Sequence, residues 1–558
     1  MANSDRPLIV QSDRSVLLEV NHPLFEAARD VLLGFAELEK SPEYIHTYRI
    51  TTLSLWNAAS AGLTWQDVIG EMERFSRYEL PANVRHEIRE YMGRYGRLKL
   101  LRQDNRLILS SDDEILIAEV WRNRKLATYM LELLNPREIA IAEVARGHIK
   151  QGLIRLGYPV EDLAGYVDGK HLDFSLRPVT THGLPFELRD YQVGAINAFH
   201  AGGGVGGGSG VIVLPCGAGK TMVGMGVMTA LKTETLILCT NITAVRQWRD
   251  ELLDKSTITV GQVGEYSGEQ KDIRPITVAT YQILTYRKTR DSEFIHFGIF
   301  NAADWGLIIY DEVHLLPAPV FRISAEIQAR RRLGLTATLV REDGLESDVF
   351  SLIGPKKYDV PWKELEGKGY IAQAKCTEIR VSMAKDLRIA YATADVRARY
   401  RLAMENPAKF PLVQRLVAKH RGDRILVIGQ YLNQLHTIAE TLGAPIITGS
   451  TPEREREKIY GQFRRGEIKL LVVSKVANFA VDLPDANVAV QVSGTFGSRQ
   501  EEAQRLGRIL RPKAGENIAF FYSLVTRDSS EQEFAINRQL FLTEEGYTYQ
   551  IVDEEELG

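Results

Sequence analysis

From residue 211 onward, short apolar runs bounded by turn residues recur along the chain: VIVLP, TLILCT, ITVAT, GLIIYDE and LGLTAT, then ILVIGQ, APIITG, LLVVS, VAVQVS and IAFFYS. Amphipathic segments separate them. A strand covered on both faces is apolar throughout, so strands of this kind alternating with helices predict parallel, doubly wound sheets. The first five and last five runs predict two sheets of similar plan, over 178–362 and 363–558.

The patterning before residue 178 differs. PLIVQSDRSVLLEV predicts two strands about a polar turn at Ser12-Asp13. LFEAARDVLLGFAELEK has helical spacing, and YIHTYRITTLSLWNAASAGLTWQDVIGEMERFS predicts two helices joined near Gly62. Such a pair is either a helix-turn-helix element or plain helix packing. Over 96–177, RLKLLRQDNRLILSSDDEILIAEV alternates like strands, and ELLNPREIAIAEVARGHIKQGLIRLGYP mixes a strand with a helix. The fold class is α/β: two doubly wound lobes preceded by α+β modules at 1–95 and 96–177. The joint at Pro178–Pro185 marks a boundary, and GGGVGGGSG at 202–210 predicts a flexible loop before a strand.

The 558 residues suffice for roughly three to four domains. With 44% hydrophobic and 25% charged residues the chain has a globular composition. It has no apolar run of the roughly 18 residues that cross a membrane and no secretory signal pattern. Its three cysteines lack CxxC spacing, which argues against a zinc site or a disulfide framework and fits a cytoplasmic location. A net charge of −3 requires that any nucleic acid meet local basic surfaces.

The strongest chemical signal is LPCGAGKT at 214–221, between an apolar strand and a helical run. Pro215 or Cys216 stands where the usual phosphate loop begins with glycine, but Gly217, Ala218, Gly219, Lys220 and Thr221 are intact. Glycines let backbone N–H groups close on phosphate oxygens, and the helix N-terminus adds positive dipole. Lys220 supplies charge to the β- and γ-phosphates, and Thr221 Oγ ligates Mg²⁺. In LIIYDEVH at 307–314 a strand end delivers two carboxylates. Asp311 suits Mg²⁺ and Glu312 suits polarisation of the attacking water. The cofactors are therefore ATP and Mg²⁺.

In this order the motifs resemble those of a superfamily 2 helicase with two RecA-like lobes. FELRDYQVGAI at 186–196 is similar to the adenine-recognition motif, with Arg189 and Gln192 as base contacts. GLTAT at 334–338 resembles the motif coupling hydrolysis to movement, through Thr336 and Thr338, and His314 closes the DEVH box. EEAQRLGRILR at 501–511 resembles the last helicase motif; helical spacing puts Gln504, Arg508 and Arg511 on or near one face. An arginine from the second lobe stabilises γ-phosphate charge in the transition state.

The continuation LVREDGLESDVFSLIGPKKYDVPWKELEGKGYIAQAKCTEI narrows the resemblance to the XPB family of DNA repair helicases, in a compact bacterial or archaeal form. That resemblance implies ATP-dependent 3′ to 5′ DNA unwinding in nucleotide excision repair. It implies a helicase-associated domain over 1–95 and a damage-recognition-like domain over 96–177. It further implies a strand-separating element at Arg341, Glu342 and Asp343, and a thumb-like insertion at about 384–404 with Arg388, Arg397, Arg399 and Arg401. Candidate backbone DNA contacts are Thr240, Asn241, Gln247, Trp248, Thr280, Tyr281, Gln430, Thr448, Ser474 and Lys475, with Trp248 expected to pack rather than to stack on a base. The expected partners are single-stranded or forked DNA and a repair nuclease, with no membrane and a monomeric state. Two alternatives keep the motifs: a double-stranded DNA translocase without strand separation, and a damaged-DNA-binding scaffold switched by ATP.

Overall fold

The computed structural model describes residues 5–40, 44–104, 106–204, 207–288, 294–317, 319–320, 324, 327, 330–338, 346–474, 486–494, 502, 505–507, 509–510 and 517–557. The chain divides into two compact units. One comprises Met1–Leu214 and Gly219–Val360; the other comprises Pro361–Gly558 with the short segment Pro215–Ala218.

The first unit opens with an antiparallel sheet of β1 (Leu8–Val10), β2 (Ser15–Glu19), β3 (Glu37–Lys40) and β4 (Ile45–Arg49), in the order β1-β2-β4-β3. Helices Phe25–Leu32, Thr52–Ser60, Trp65–Phe75 and Ala82–Met92 accompany it. Thr51 and Thr64 each close a capping box at the N-terminus of the second and third of these helices. The helix expected through Lys40 instead stops at Leu32. Glu37 pairs with Arg49, so ELEK is a strand, as is IHTYR, which the sequence had suggested was helical. Here aromatic and β-branched residues beside a partner strand outweigh a marginal helical pattern.

A second sheet follows, of β5 (Leu98–Gln103), β6 (Arg106–Ser110), β7 (Met130–Asn135), β8 (Glu138–Ile141) and β9 (Val160–Asp162), in the order β7-β8-β6-β5-β9. EILIAEV, expected as a strand, lies in the helix Glu114–Arg122. Asp113 Oδ1 accepts from Ile115 N and Leu116 N, which starts the helix, and Leu116, Ile117 and Val120 bury one face of it.

The first lobe holds seven parallel strands: β10 (Ser209–Val213), β11 (Thr235–Cys239), β12 (Val263–Tyr266), β13 (Ile276–Thr280), β14 (Leu307–Asp311), β15 (Arg331–Thr336) and β16 (Lys356–Asp359). Strand β10 starts inside the glycine-rich tract, at Ser209. The second unit holds seven more parallel strands: β17 (Gln373–Val381), β18 (Ile425–Gly429), β19 (Ile446–Ile447), β20 (Leu470–Ser474), β21 (Val488–Gln491), β22 (Ile518–Thr526) and β23 (Tyr549–Asp553). Their orders are β12-β13-β11-β14-β15-β10-β16 and β19-β20-β18-β21-β22-β17-β23. Counted from its own first strand, each sheet therefore runs third, fourth, second, fifth, sixth, first, seventh. This is the similar plan the apolar runs predicted, extended by strands the pattern did not reveal. β10, β11 and β13 are buried along their whole length, as strands packed on both faces must be.

Candidate active site

Three neighbouring strands, β10, β15 and β14, end on one edge of the first-lobe sheet. Ligands bind at the carboxyl edge of such a sheet. The loop after β10 leads into the helix Lys220–Leu231, entered at Gly219 with φ 80°. The left-handed backbone demands glycine there, and a Cβ would also press to 2.6 Å on Gln192 Nε2, the end of a side chain that would have to move. Leu214 N donates to Thr336 O at 2.9 Å, which joins the loop entrance to the end of β15.

Lys220 Nζ lies 2.9 Å from Glu312 Oε1. Glu312 follows β14 with φ 52°, a left-handed conformation that strains a residue bearing a Cβ. It thus leaves the strand direction immediately after Asp311. Burial pushes the Asp311 carboxyl up to about 6, and neighbouring Glu312 adds to this. Burial would also raise Glu312, but the Lys220 ammonium outweighs it and holds Glu312 below the usual value. The two adjacent carboxylates therefore differ in character: Asp311 is poorly stabilised as an anion, and Glu312 is kept ionised by the lysine.

Asp311 is held from two sides. Trp248 Nε1 donates to its Oδ2 at 2.9 Å, and Tyr281 OH donates to its backbone carbonyl at 3.0 Å. His314 Nδ1 lies 3.4 Å from Glu312 Oε2 and 2.7 Å from Thr336 Oγ1. The Thr336 hydroxyl donates to Thr338 O at 2.6 Å, so the His314–Thr336 bond needs the proton on His314 Nδ1. Glu312, His314, Thr336 and Thr338 therefore form a continuous polar chain, with the last three buried.

Thr221 is half-buried in the first turn of the helix after the loop. Its hydroxyl and the carboxylates of Asp311 and Glu312 are hard oxygen donors. Among the described residues, Glu312 Oε2 is buried without a hydrogen bond. This donor set fits Mg²⁺.

Other expected contacts fall differently. Gln192 is buried, and its Oε1 accepts from Arg189 N at 2.9 Å, capping its own helix. Arg189, half-buried, reaches Tyr191 OH at 3.3 Å. Thr280, Tyr281 and Trp248 are buried. Thr280 caps the turn that follows it, and the other two grip Asp311, so all three serve the strand ends rather than a surface. Asn241 caps the helix Ile242–Lys255, on which Gln247 is half-buried. Pro215 and Ala218 are buried, Cys216 is half-buried and Gly217 is exposed.

In the second unit Thr448 and Ser474 are buried, and Gln430 N donates to Ser493 Oγ at 2.8 Å. The insertion after β17 forms two helices, Lys385–Thr393 and Val396–Met404, with Arg388, Arg397, Arg399 and Arg401 all exposed. Lys475, Gln504, Arg508, Arg511 and Arg341, Glu342 and Asp343 lie outside the described residues. Among the described residues, no helix is long and apolar enough to cross a membrane.

Three family models match the chain. Residues 365–557 match the ERCC3/RAD25/XPB C-terminal helicase, residues 185–341 the type III restriction enzyme res subunit, and residues 8–135 a helicase conserved C-terminal domain. The chain is 53% identical to the DNA 3′-5′ helicase XPB of Mycobacterium tuberculosis, over 99% of both chains. Its identity to the DNA 3′-5′ helicase XPB of Kineococcus radiotolerans is 52%, over 99% of this chain and 98% of that one. With the general transcription and DNA repair factor IIH helicase/translocase subunit XPB/SSL2 of Saccharomyces cerevisiae it shares 33% identity, over 99% of this chain and 72% of the yeast protein.

Proposed function

This chain belongs to the XPB family of DNA helicases, and we propose that it couples ATP hydrolysis to 3′ to 5′ unwinding of DNA in repair. The observation that carries the mechanism is the Lys220–Glu312 ion pair at the edge of the first-lobe sheet.

ATP presents its phosphates to the backbone of Gly217, Ala218 and Gly219 and to the N-terminus of the helix Lys220–Leu231. Lys220 turns to the β- and γ-phosphates and gives up Glu312. Without the ammonium beside it, the Glu312 carboxylate becomes more basic, because the charge that held its pKa down has moved. It then accepts a proton from the water that attacks the γ-phosphorus. The P–O bond to ADP breaks, and phosphate and ADP leave. Thr221 and Asp311 would hold Mg²⁺, which when bound would supply positive charge against the phosphates. Trp248 and Tyr281 keep Asp311 in place while Glu312 changes partners.

Movement at Glu312 is felt by His314, then by Thr336 and Thr338 at the end of β15. That strand end leads directly to Arg341, Glu342 and Asp343, the proposed strand-separating element. In the second lobe, Gln504, Arg508 and Arg511 sense the γ-phosphate, and the exposed arginines of 384–404 follow the DNA backbone. A nuclease acting with this chain, as repair needs incision after unwinding, completes the proposed role.

The test is ATP turnover with and without forked DNA, in the wild type and in Lys220→Ala. DNA-stimulated turnover that Lys220→Ala abolishes supports the motor. Equal turnover with and without DNA favours the ATP-switched scaffold instead.

A further inference from the structure

Several arginines of the 96–177 module have a carboxylate partner even where solvent reaches them. Arg97 pairs with Asp113, Arg102 Nη2 lies 2.6 Å from Glu143 Oε1, Arg137 Nε 3.1 Å from Glu114 Oε1, and Arg155 Nη2 3.8 Å from Asp348 Oδ1. Arg122, Arg124 and Lys125 differ. All three are exposed where the helix Glu114–Arg122 ends and the chain turns. Among the described residues, none of the three side chains has an ion pair or a hydrogen bond. Glu119, one turn earlier and also exposed, forms no ion pair with Arg122. The helix dipole accounts for Arg122, which lies in the last turn, but Arg124 and Lys125 stand beyond it.

The turn is fixed in shape. Asn123 N donates to Val120 O at 3.1 Å, and Asn123 Oδ1 accepts from Lys125 N at 3.0 Å. Leu126 is buried against the bare Cα of Gly152, where a Cβ would come to 2.3 Å from Leu126 Cδ2. Tyr129 stacks on His148, with ring centroids 5.3 Å apart and planes 11° apart. Gly152 and His148 both belong to the helix Arg146–Arg155.

That helix also determines what lies beside the turn. His148, Gln151, Gly152 and Arg155 share one helical face. Gln151 Nε2 donates to Asp348 Oδ1 at 2.9 Å, and Arg155 reaches the same oxygen. Asp348 belongs to the helix Glu346–Leu352. The contacts of the turn, at 148 and 152, therefore interleave with those of Glu346–Leu352, at 151 and 155, over about 10 Å of helix. Glu346 follows Asp343 by three residues in the sequence. The cationic turn thus flanks the helix entered from the proposed strand-separating element.

We propose that this turn grips the sugar-phosphate backbone of duplex DNA through Arg122, Arg124 and Lys125, holding the duplex beside the strand-separating element. Its role in the reaction rests on the unwinding reading above; the binding itself does not. Unpaired cations on a rigid turn neutralise phosphates whatever the base sequence. A single strand would add stacking of its bases on open aromatic faces. Here Trp121 is half-buried, and His148 covers one face of Tyr129. An intact duplex keeps its bases stacked inside and its phosphates outermost, which suits a surface that offers charge without open rings. In a chain of net charge −3, nucleic acid needs local surfaces of this kind.

The test is fluorescence anisotropy of the full chain with a blunt, undamaged duplex over a salt series, without nucleotide. Replacing Arg122, Arg124 and Lys125 together by alanine should shrink the slope of log affinity against log salt by about 2 to 3, near 0.9 per lost phosphate contact. Arg124→Gln alone should remove about 0.9. The thermal midpoint should change little, because all three side chains are exposed. Lys99→Ala with Arg106→Ala is the control. Lys99 alternates with buried Leu98 and Leu100, and Arg106 precedes buried Leu107, so both cations lie on the sheet face turned away from the helices. This control should keep the wild-type slope. Wild-type protein that binds duplex in this way yet displaces no strand would end the unwinding reading and leave the site standing. An unchanged slope in the triple variant, or an equal loss in the control, overturns the proposal. So does a triple variant that loses oligothymidine or polyglutamate binding but keeps the duplex, the first assigning the turn to single strands and the second to an acidic protein.

Discussion

Trp248 donates its only polar hydrogen, on Nε1, to Asp311 Oδ2 at 2.9 Å, from a fully buried position on the helix Ile242–Lys255. An aromatic ring that packing alone would explain thus also fixes the carboxylate proposed to hold Mg²⁺. A hydrogen bond to a charged group contributes roughly 1.5–3 kcal/mol. Trp248→Phe keeps most of the packing and removes the donor. The Mg²⁺ concentration giving half-maximal ATP turnover should rise about tenfold, with the thermal midpoint little changed. An unchanged Mg²⁺ dependence would mean that the indole serves only the core.

Glu312 and Lys220 should separate binding from chemistry. Glu312→Gln frees Lys220 from its ion pair while removing the proton acceptor. ATP should bind at least as tightly as in the wild type, measured with a fluorescent analogue, while single-turnover hydrolysis falls about 10²–10⁴-fold. Weak binding in this variant would show that Glu312 positions the loop rather than activating water.

Exposed arginines on 384–404 should act through phosphates. Replacing Arg397 and Arg399 by alanine removes two exposed cations. The slope of log affinity for duplex DNA against log salt should shrink by about 2, near 0.9 per lost phosphate contact. Maximal DNA-stimulated turnover should survive at higher DNA concentration. An unchanged slope would place the DNA path elsewhere.

His46 gives a pH signature outside the motor. Burial lowers its imidazole to about 4, and Arg29 adds to the shift. Below pH 6.5 the unfolded chain takes up a proton that the folded chain refuses until about 4. The stability of the first antiparallel sheet is therefore complete above 6.5 and falls as pH drops from 6.5 to 4. Thermal unfolding across this range should show that loss, and His46→Leu should flatten it. Equal slopes in both proteins would refute the assignment.

The arrangement proposed to take ATP was legible in the sequence through residues that phosphate chemistry demands. Gly219 needs a positive φ, Lys220 must carry charge, and Asp311 and Glu312 must stand at the end of a strand and just past it. The buried strands of both lobes were legible for a similar reason, since only an apolar run survives between two layers of helices. What was not legible depends on partners distant in the chain. ELEK became a strand because Glu37 found Arg49, and EILIAEV became a helix because Asp113 caps it. Motif position marked Thr280 and Tyr281 as DNA contacts, while Trp248 was expected to pack, but a position at a strand or helix end does not fix where a side chain points. All three turn inward, two of them onto Asp311. Nothing local in RQW announces a bond to a carboxylate 63 residues away.

The central claim is directional unwinding by a motor built around Lys220 and Glu312. Strand displacement on duplexes carrying either a 3′ or a 5′ single-stranded tail, with ATP and Mg²⁺, tests it most directly. The account predicts release of the displaced strand from the 3′-tailed substrate alone, and none with Lys220→Ala. Translocation along intact duplex with no displacement from either tail would contradict it and establish a double-stranded DNA translocase in its place.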